Sequence, residues 1–271
     1  MKNLDCNVSI HLSIWEITRS YYWISEGRNI KRPFYILLII LCCLLSGNVS
    51  ADSRFFAGLI SPDNVNLSTR DFLRFHAIND SQEKVNILMY ALGVQDATEG
   101  KTWCVDEQVD RAIINQTVLA WLERQSIIKF DLRASIMIED ALVKNYPCQG
   151  KVPQTKNISR LSPVQSLTPE AYNLSGNDFF RLWVSGHQQD KFRASIYLLG
   201  VEDATENKLW CGYDLFKTLT LNEAVYTSLK NKSSEELNGR AADLIVRKLM
   251  EYPCDTGGKN ETFILNAKKK S

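Results

Sequence analysis

The sequence has 271 residues, a formal net charge of +1 and a charged fraction of 23%. This near-neutral balance argues against a nucleic-acid-binding protein that relies on a large basic surface. A hydrophobic content of 45% is enough for a folded core and argues against a disordered chain. The seven cysteines are too few for a disulfide-dense miniprotein, so their positions are more informative than their number.

Residues 1–51 are predicted to be a leader with a signal peptide. Its apolar run covers residues 34–45, basic residues precede the run, and Val49-Ser50-Ala51 fits the small-residue rule for cleavage. At about 12 residues, the run is shorter than the ~20 that a helix needs to cross a bilayer. We therefore expect export to the periplasm and no stable membrane span after cleavage. An uncleaved anchor is the alternative, and a start codon placed too far upstream would explain the long segment before the run.

The region after the leader contains one sequence twice. A shift of 107 residues aligns positions 71–104 with positions 178–211, and 16 of these 34 positions are identical. The match continues, with a slip of one residue, to Tyr-Pro-Cys at 146–148 and 252–254. Such a repeat predicts two copies of one module. The predicted boundaries are residues 66–149 for the first module, 150–173 for a proline-containing linker, 174–256 for the second module and 257–271 for a tail.

Each copy is predicted to be a small helical bundle. Ser68 with Asp71, and Ser175 with Asp178, are typical helix starts, because the serine can accept from a free backbone N–H and the aspartate suits the positive helix end. Apolar residues then recur at helical spacing. In the first copy the later helices are expected to run through Tyr90 to about residue 97, from about 107 to 124 and from about 132 to 145. The predicted fold class is all-α, with two tandem helical-bundle modules.

One cysteine precedes the third helix of each copy and another follows the fourth; these are Cys104, Cys148, Cys211 and Cys254. Two antiparallel helices would bring those ends together, which predicts Cys104–Cys148 and Cys211–Cys254 disulfides. Each would close a loop of about 45 residues and contribute roughly 4 kcal/mol as an upper figure. Metal binding or a reactive thiol are the alternatives, but zinc cysteines usually occur in close pairs such as C-x-x-C, which the sequence lacks. We therefore predict no metal and no cofactor.

The polar residues that the copies share are weak candidates for catalysis. Asp96 and Asp203 occupy equivalent positions and could act as acid/base groups. The structural interpretation, in which each caps the following turn or accepts from a tryptophan indole N–H, is preferred. We expect close helix approach at Gly93 and Gly200, because a glycine inside a helix costs up to about 1 kcal/mol relative to alanine. The remaining shared residues, predicted to be core, are Tyr90, Trp103, Tyr197 and Trp210. No catalytic triad spacing, phosphate loop or HExxH motif occurs, so no enzymatic activity is predicted.

The order of these motifs, found twice, resembles the Rap/Tai-type immunity proteins. The pattern is Tyr-x-x-Gly-Val-x-Asp-Ala, then Trp-Cys, then an amphipathic helix pair that ends in Tyr-Pro-Cys. In the first copy it comprises Tyr90, Gly93, Val94, Asp96, Ala97, Trp103, Cys104 and Tyr146-Pro147-Cys148. In the second copy it comprises Tyr197, Gly200, Val201, Asp203, Ala204, Trp210, Cys211 and Tyr252-Pro253-Cys254. The resemblance covers both modules and excludes the leader and the linker.

The resemblance implies a small helical periplasmic protein that binds a peptidoglycan amidase effector delivered by type VI secretion and occludes its catalytic cleft. Family members typically act as homodimers, whereas this chain carries two modules in tandem. We therefore hypothesise that the two modules form an intramolecular pseudo-dimer. The alternative function is a periplasmic structural or stress-related helical module without a dedicated toxin partner.

The resemblance also implies that a protruding loop occludes the effector. The candidate is the loop Gln125–Asp131, with Ile127, Ile128 and Phe130. Its counterpart is Lys230–Glu235, with Lys230 and Lys232. Because the first loop is apolar and the second is polar, the two should not be equivalent. In the other interpretation, which is preferred, Ile128 and Phe130 simply tuck under the helix pair.

Overall fold

The computed structural model describes residues 60–105, 109–148, 158, 161–162 and 165–254. The leader, the tail and most of the linker up to residue 164 lie outside these residues. The described part contains eight α-helices and no strand. The helices are α1 Thr69–Ala77, α2 Ser81–Thr98, α3 Arg111–Glu123, α4 Ala134–Asn145, α5 Gly176–Trp183, α6 Gln188–Thr205, α7 Thr218–Lys230 and α8 Ala241–Leu249. The predicted all-α fold class is confirmed.

Helices α1 and α5 begin as the sequence predicts. The Ser68 hydroxyl accepts from the Asp71 N–H at 3.1 Å, and the Ser175 hydroxyl accepts from the Asp178 N–H at 3.1 Å. These contacts satisfy backbone donors that a helix start leaves free. The equivalent serines therefore fix the same starting point for both copies.

The last two helices of each copy form a pair that a disulfide closes. Cys104 bonds Cys148 and Cys211 bonds Cys254, with Cα–Cα distances of 4.8 and 4.6 Å. In addition, the N–H of Cys104 donates to the Tyr146 carbonyl at 2.9 Å, and a bond of the same length joins Cys211 to Tyr252. Both predicted disulfides are confirmed.

The two copies pack against each other through their second helices within one compact unit. Among the described helices, α2 and α6 make the most extensive contact. A Cβ atom added to Gly93 would lie 2.1 Å from the Tyr197 carbonyl oxygen, and one added to Gly200 would lie 2.1 Å from the Tyr90 carbonyl oxygen. Only glycine permits this crossing. The expected close approach at these glycines is confirmed, and it joins one copy to the other.

The C-terminal halves of α2 and α6 are buried on all sides. A helix that is buried all round belongs to the interior of a larger core rather than to the surface of a small bundle. The two copies therefore share one core.

No described helix combines the length and the apolar character that crossing a membrane would require.

Candidate functional site

Asp203 of the second copy binds three donors of the first copy. Its carboxylate accepts from the N–H of Asn66 at 3.0 Å, from the N–H of Leu67 at 3.1 Å and from the Tyr90 hydroxyl at 2.8 Å. The Tyr213 hydroxyl adds a fourth bond, at 2.8 Å, from the same copy as the aspartate. This carboxylate therefore links the start of the first copy to α6.

The reciprocal cluster surrounds Asp96 of the first copy. Its carboxylate accepts from the N–H of Asn173 at 2.9 Å, from the N–H of Leu174 at 3.3 Å and from the Tyr197 hydroxyl at 3.0 Å. All three donors precede or belong to the helices of the second copy. We call the two clusters together the inter-copy lock.

Asparagines in the left-handed conformation shape the lock. Asn66 has a φ of 59° and Asn173 a φ of 48°, a region that asparagine tolerates better than most residues. This conformation turns two successive N–H groups toward one carboxylate. The sequence-based interpretation missed both residues, although an asparagine at equivalent positions of the two copies was the available signal.

Arginines reinforce the lock at backbone carbonyls. Arg133 donates to the Asp203 carbonyl at 3.2 Å and to the Glu206 carboxylate at 3.0 Å. Arg240 donates to the Asp96 carbonyl at 2.6 Å. Both contacts again join one copy to the other, so the lock is nearly symmetric.

The expectation that the aspartates bond the indole N–H groups is wrong. The Trp103 indole donates to the Thr98 hydroxyl at 2.9 Å, and the Trp210 indole donates to the Thr205 hydroxyl at 2.9 Å. A threonine five residues earlier lies closer to each indole, which leaves the aspartates free to bond the other copy. Both indole rings are buried, as predicted.

The electrostatics of the lock favour a scaffold over an acid/base site. Asp96 and Asp203 are each 1% exposed, and burial raises the pKa of both carboxyls. Burial also raises the pKa of Tyr90 and Tyr197 well above their usual range, so both hydroxyls remain protonated donors. A substrate in solution has no route to these groups, which instead hold the copies together.

The copies differ beside the lock at Gln95 and Glu202, which are equivalent positions. Gln95 donates to the Asn115 side chain at 2.7 Å and accepts from Arg111 at 3.1 Å. Glu202 is fully buried, and neither of its carboxylate oxygens has a hydrogen-bond partner among the described residues. Burial, with a smaller contribution from Asp203, raises the pKa of Glu202 well above its usual range.

The predicted protruding loop of the first copy is a 3₁₀ turn, Ile127–Asp131. Ile127 is 67% exposed and Ile128 81% exposed, while Phe130 is half-buried with the Arg70 guanidinium 5.9 Å from its ring centroid. The expectation that Ile128 tucks under the helix pair is therefore wrong. The 3₁₀ turn presents Ile127 and Ile128 to solvent, and only Phe130 reaches partly inward.

The equivalent turn of the second copy is polar where it is exposed. Ser234 and Glu235 stand at the positions of Ile127 and Ile128 and are exposed. Of the two predicted binding lysines, Lys232 pairs with Glu236 at 3.2 Å, and the Lys230 ammonium lies 5.7 Å from the Tyr226 ring centroid.

Within the ranges that the structure covers, no three His, Cys, Asp or Glu side chains are arranged to hold a metal ion.

The family model of the Rap1a immunity proteins matches residues 70–148 and 175–254, which is more than half of the chain. The chain belongs to the Rap1a immunity protein family. Comparison with curated proteins finds no match. The two Rap1a regions coincide with the two copies, and each region contains one disulfide and one aspartate of the lock. In this Rap1a member the shared aspartates thus belong to the scaffold, and the exposed turns differ between the copies.

Proposed function

We propose that the chain is a periplasmic immunity protein that binds a peptidoglycan amidase effector of type VI secretion and occludes its catalytic cleft. Membership of the Rap1a family supports the immunity role. The observation that carries the occlusion mechanism is the pair of exposed isoleucines, Ile127 and Ile128, on a short 3₁₀ turn. Exposed apolar groups on a fixed turn are suited to insertion into a partner's cleft.

The energetics of such insertion are favourable. Removing an isoleucine side chain from water contributes about 1.5–3 kcal/mol. Backbone bonds join the residues that follow the turn to the start of α1, from the Thr69 N–H to the Leu132 carbonyl at 2.8 Å and from the Ala134 N–H to the Leu67 carbonyl at 2.7 Å. Because the turn is already ordered, little conformational entropy is lost on binding.

The arrangement of the acidic groups supports inhibition rather than catalysis. Asp96 and Asp203 are the only acids that both the motif and the equivalent positions singled out, and their carboxylates are engaged by donors of the other copy. The cysteines that could have been nucleophiles, from Cys104 to Cys254, are paired in disulfides. The protein therefore acts by binding.

Rescue from toxicity tests the proposal. Each member of a panel of type VI peptidoglycan amidases is exported to the periplasm of a sensitive bacterium, with and without this protein. We expect the full chain to prevent lysis by its cognate amidase. A version without residues 1–51, which stays in the cytoplasm, is the control and should not protect. Lysis by every amidase despite folded, exported protein would contradict the proposed function.

A further inference from the structure

We infer that the chain has one effector-binding face, on the first copy, and that the second copy serves as its structural partner. This inference rests on the proposed function and goes further, because the tandem repeat by itself suggests two equivalent binding sites.

Four exposed apolar residues follow one another along the first turn and the start of α4. They are Ile127, Ile128, Leu132 and Ile136, with exposed fractions of 67%, 81%, 46% and 41%. We call them the apolar face. Their equivalents in the second copy are Ser234, Glu235, Gly239 and Asp243. Every apolar side chain of the face is thus replaced by a polar one or by none, so the second copy has no apolar surface at these positions.

At one of these positions the second copy makes a contact with the first copy. Asp243, at the position of Ile136, pairs with Lys101 of the first copy at 3.2 Å and with Arg240 at 3.4 Å. Arg240 in turn donates to the Asp96 carbonyl of the lock. Asp243 therefore helps to join the copies, whereas Ile136 at the same position of the first copy is exposed.

The apolar face is held in place at its edge. Asp131, the last residue of the turn, pairs with Arg70 of α1 at 2.9 Å. An exposed pair of this kind contributes little stability by itself. Together with the backbone bonds from residues 132 and 134 to residues 69 and 67, however, it holds the turn in a position where the two isoleucines are exposed before any effector binds.

Charges beside the apolar face indicate the chemistry of its occupant. Arg124 and Lys129 flank the isoleucines, and their hydrogen bonds go to uncharged oxygens. Two acids also lie nearby: Asp131 pairs with Arg70 at 2.9 Å, and Glu123 precedes Arg124 in the sequence. The face therefore fits an apolar depression with an acidic rim on another protein. A second copy of this chain is a poor occupant, because an isologous contact would place Arg124 and Lys129 against their own equivalents.

Giving the first turn the exposed residues of the second tests the inference. I127S/I128E gives the first turn the residues of the second, and S234A/E235A is the matched control. The probe is the purified amidase against which the full chain protects. Native mass spectrometry gives the stoichiometry and calorimetry the affinity. We expect one amidase per chain, a loss of affinity of at least about 100-fold for I127S/I128E, and wild-type affinity for the control. Circular dichroism should show unchanged melting for both variants, since the altered side chains are exposed.

Other results overturn the inference. Two amidase molecules per chain, unchanged binding by I127S/I128E, an equal loss from S234A/E235A, or pairing of two chains through the apolar face would each contradict a single face for the effector. Two amidases per chain would leave the proposed immunity function standing. No binding of any amidase by the wild-type chain would overturn both.

Discussion

At the residue scale, the burial of Glu202 gives the fold a dependence on pH. Its pKa in the folded protein is raised above the ordinary value of 4.5, chiefly by burial. As the pH rises through 4.5, the unfolded chain loses the proton first, while the folded chain keeps it. Stability contributed by this group is therefore fully present below the unfolded pKa and is lost as the pH rises toward the folded pKa.

We predict that Glu202→Gln raises the free energy of unfolding at pH 7 and has little effect at pH 4. The amide is neutral, as is the amide of Gln95 at the equivalent position. Urea unfolding at the two pH values measures the difference. Glu223→Gln, which removes an exposed carboxylate, is the control and should change little at either pH. An equal effect of Glu202→Gln at both values would contradict the prediction.

Residue spacing identified Asp96 and Asp203 as equivalent acids and favoured a structural role, but it placed their partners wrongly. Spacing within a copy points to neighbours such as Trp103, whereas the actual donors are Tyr197 and Asn173, in the other copy. Contacts between copies depend on how the two modules dock, and no local pattern contains that information.

At the scale of elements, the crossing of α2 and α6 depends on glycine. We predict that Gly93→Ala lowers the free energy of unfolding by about 3 kcal/mol, because the added methyl group would lie 2.1 Å from the Tyr197 carbonyl oxygen. Helix propensity alone predicts the opposite sign, a gain of up to about 1 kcal/mol. Chemical denaturation distinguishes the two.

Gly186→Ala provides the matched control for the crossing. A Cβ atom there meets nothing within 4 Å, so this substitution should be close to neutral. If Gly93→Ala were equally neutral, the close approach of the two helices would not exist in solution.

Local patterns predicted the helices and their caps well, because serine caps and apolar stripes act within a few residues. They did not predict the orientation of the first turn. Ile128 is apolar and was expected to be covered in the structural interpretation, yet its exposure follows from how the turn sits against the start of α1. This orientation is a tertiary property, and it is also what makes the turn a candidate binding element.

At the scale of the whole molecule, the two copies share a core and should unfold together. We predict a single calorimetric transition for the region after the leader. The double substitution Cys104→Ala/Cys148→Ala should lower the free energy of unfolding by up to about 4 kcal/mol. The midpoint of the single transition should then fall as a whole, because α2 and the lock join the copies. Two separate transitions, with only one shifted by the substitutions, would show that the copies fold independently.

The twofold motif is sufficient to predict the family and the disulfides, since both depend on residue order. It could only suggest the docking of the copies, which rests on the two glycines, the two asparagines and the reciprocal aspartates acting together. The motif also does not show which side chains of the two turns are exposed to solvent. The exposure of Ile127 and Ile128, which makes the first turn a candidate binding element, is visible only in three dimensions.

Inhibition of a purified cognate amidase is the most direct test of the immunity mechanism. Peptidoglycan hydrolysis is followed while the exported chain, without its leader, is titrated into the enzyme. Occlusion by a single face predicts that hydrolysis falls to background at one chain per amidase. Full hydrolysis in the presence of excess folded chain, with the amidase bound to it, would contradict occlusion of the catalytic cleft.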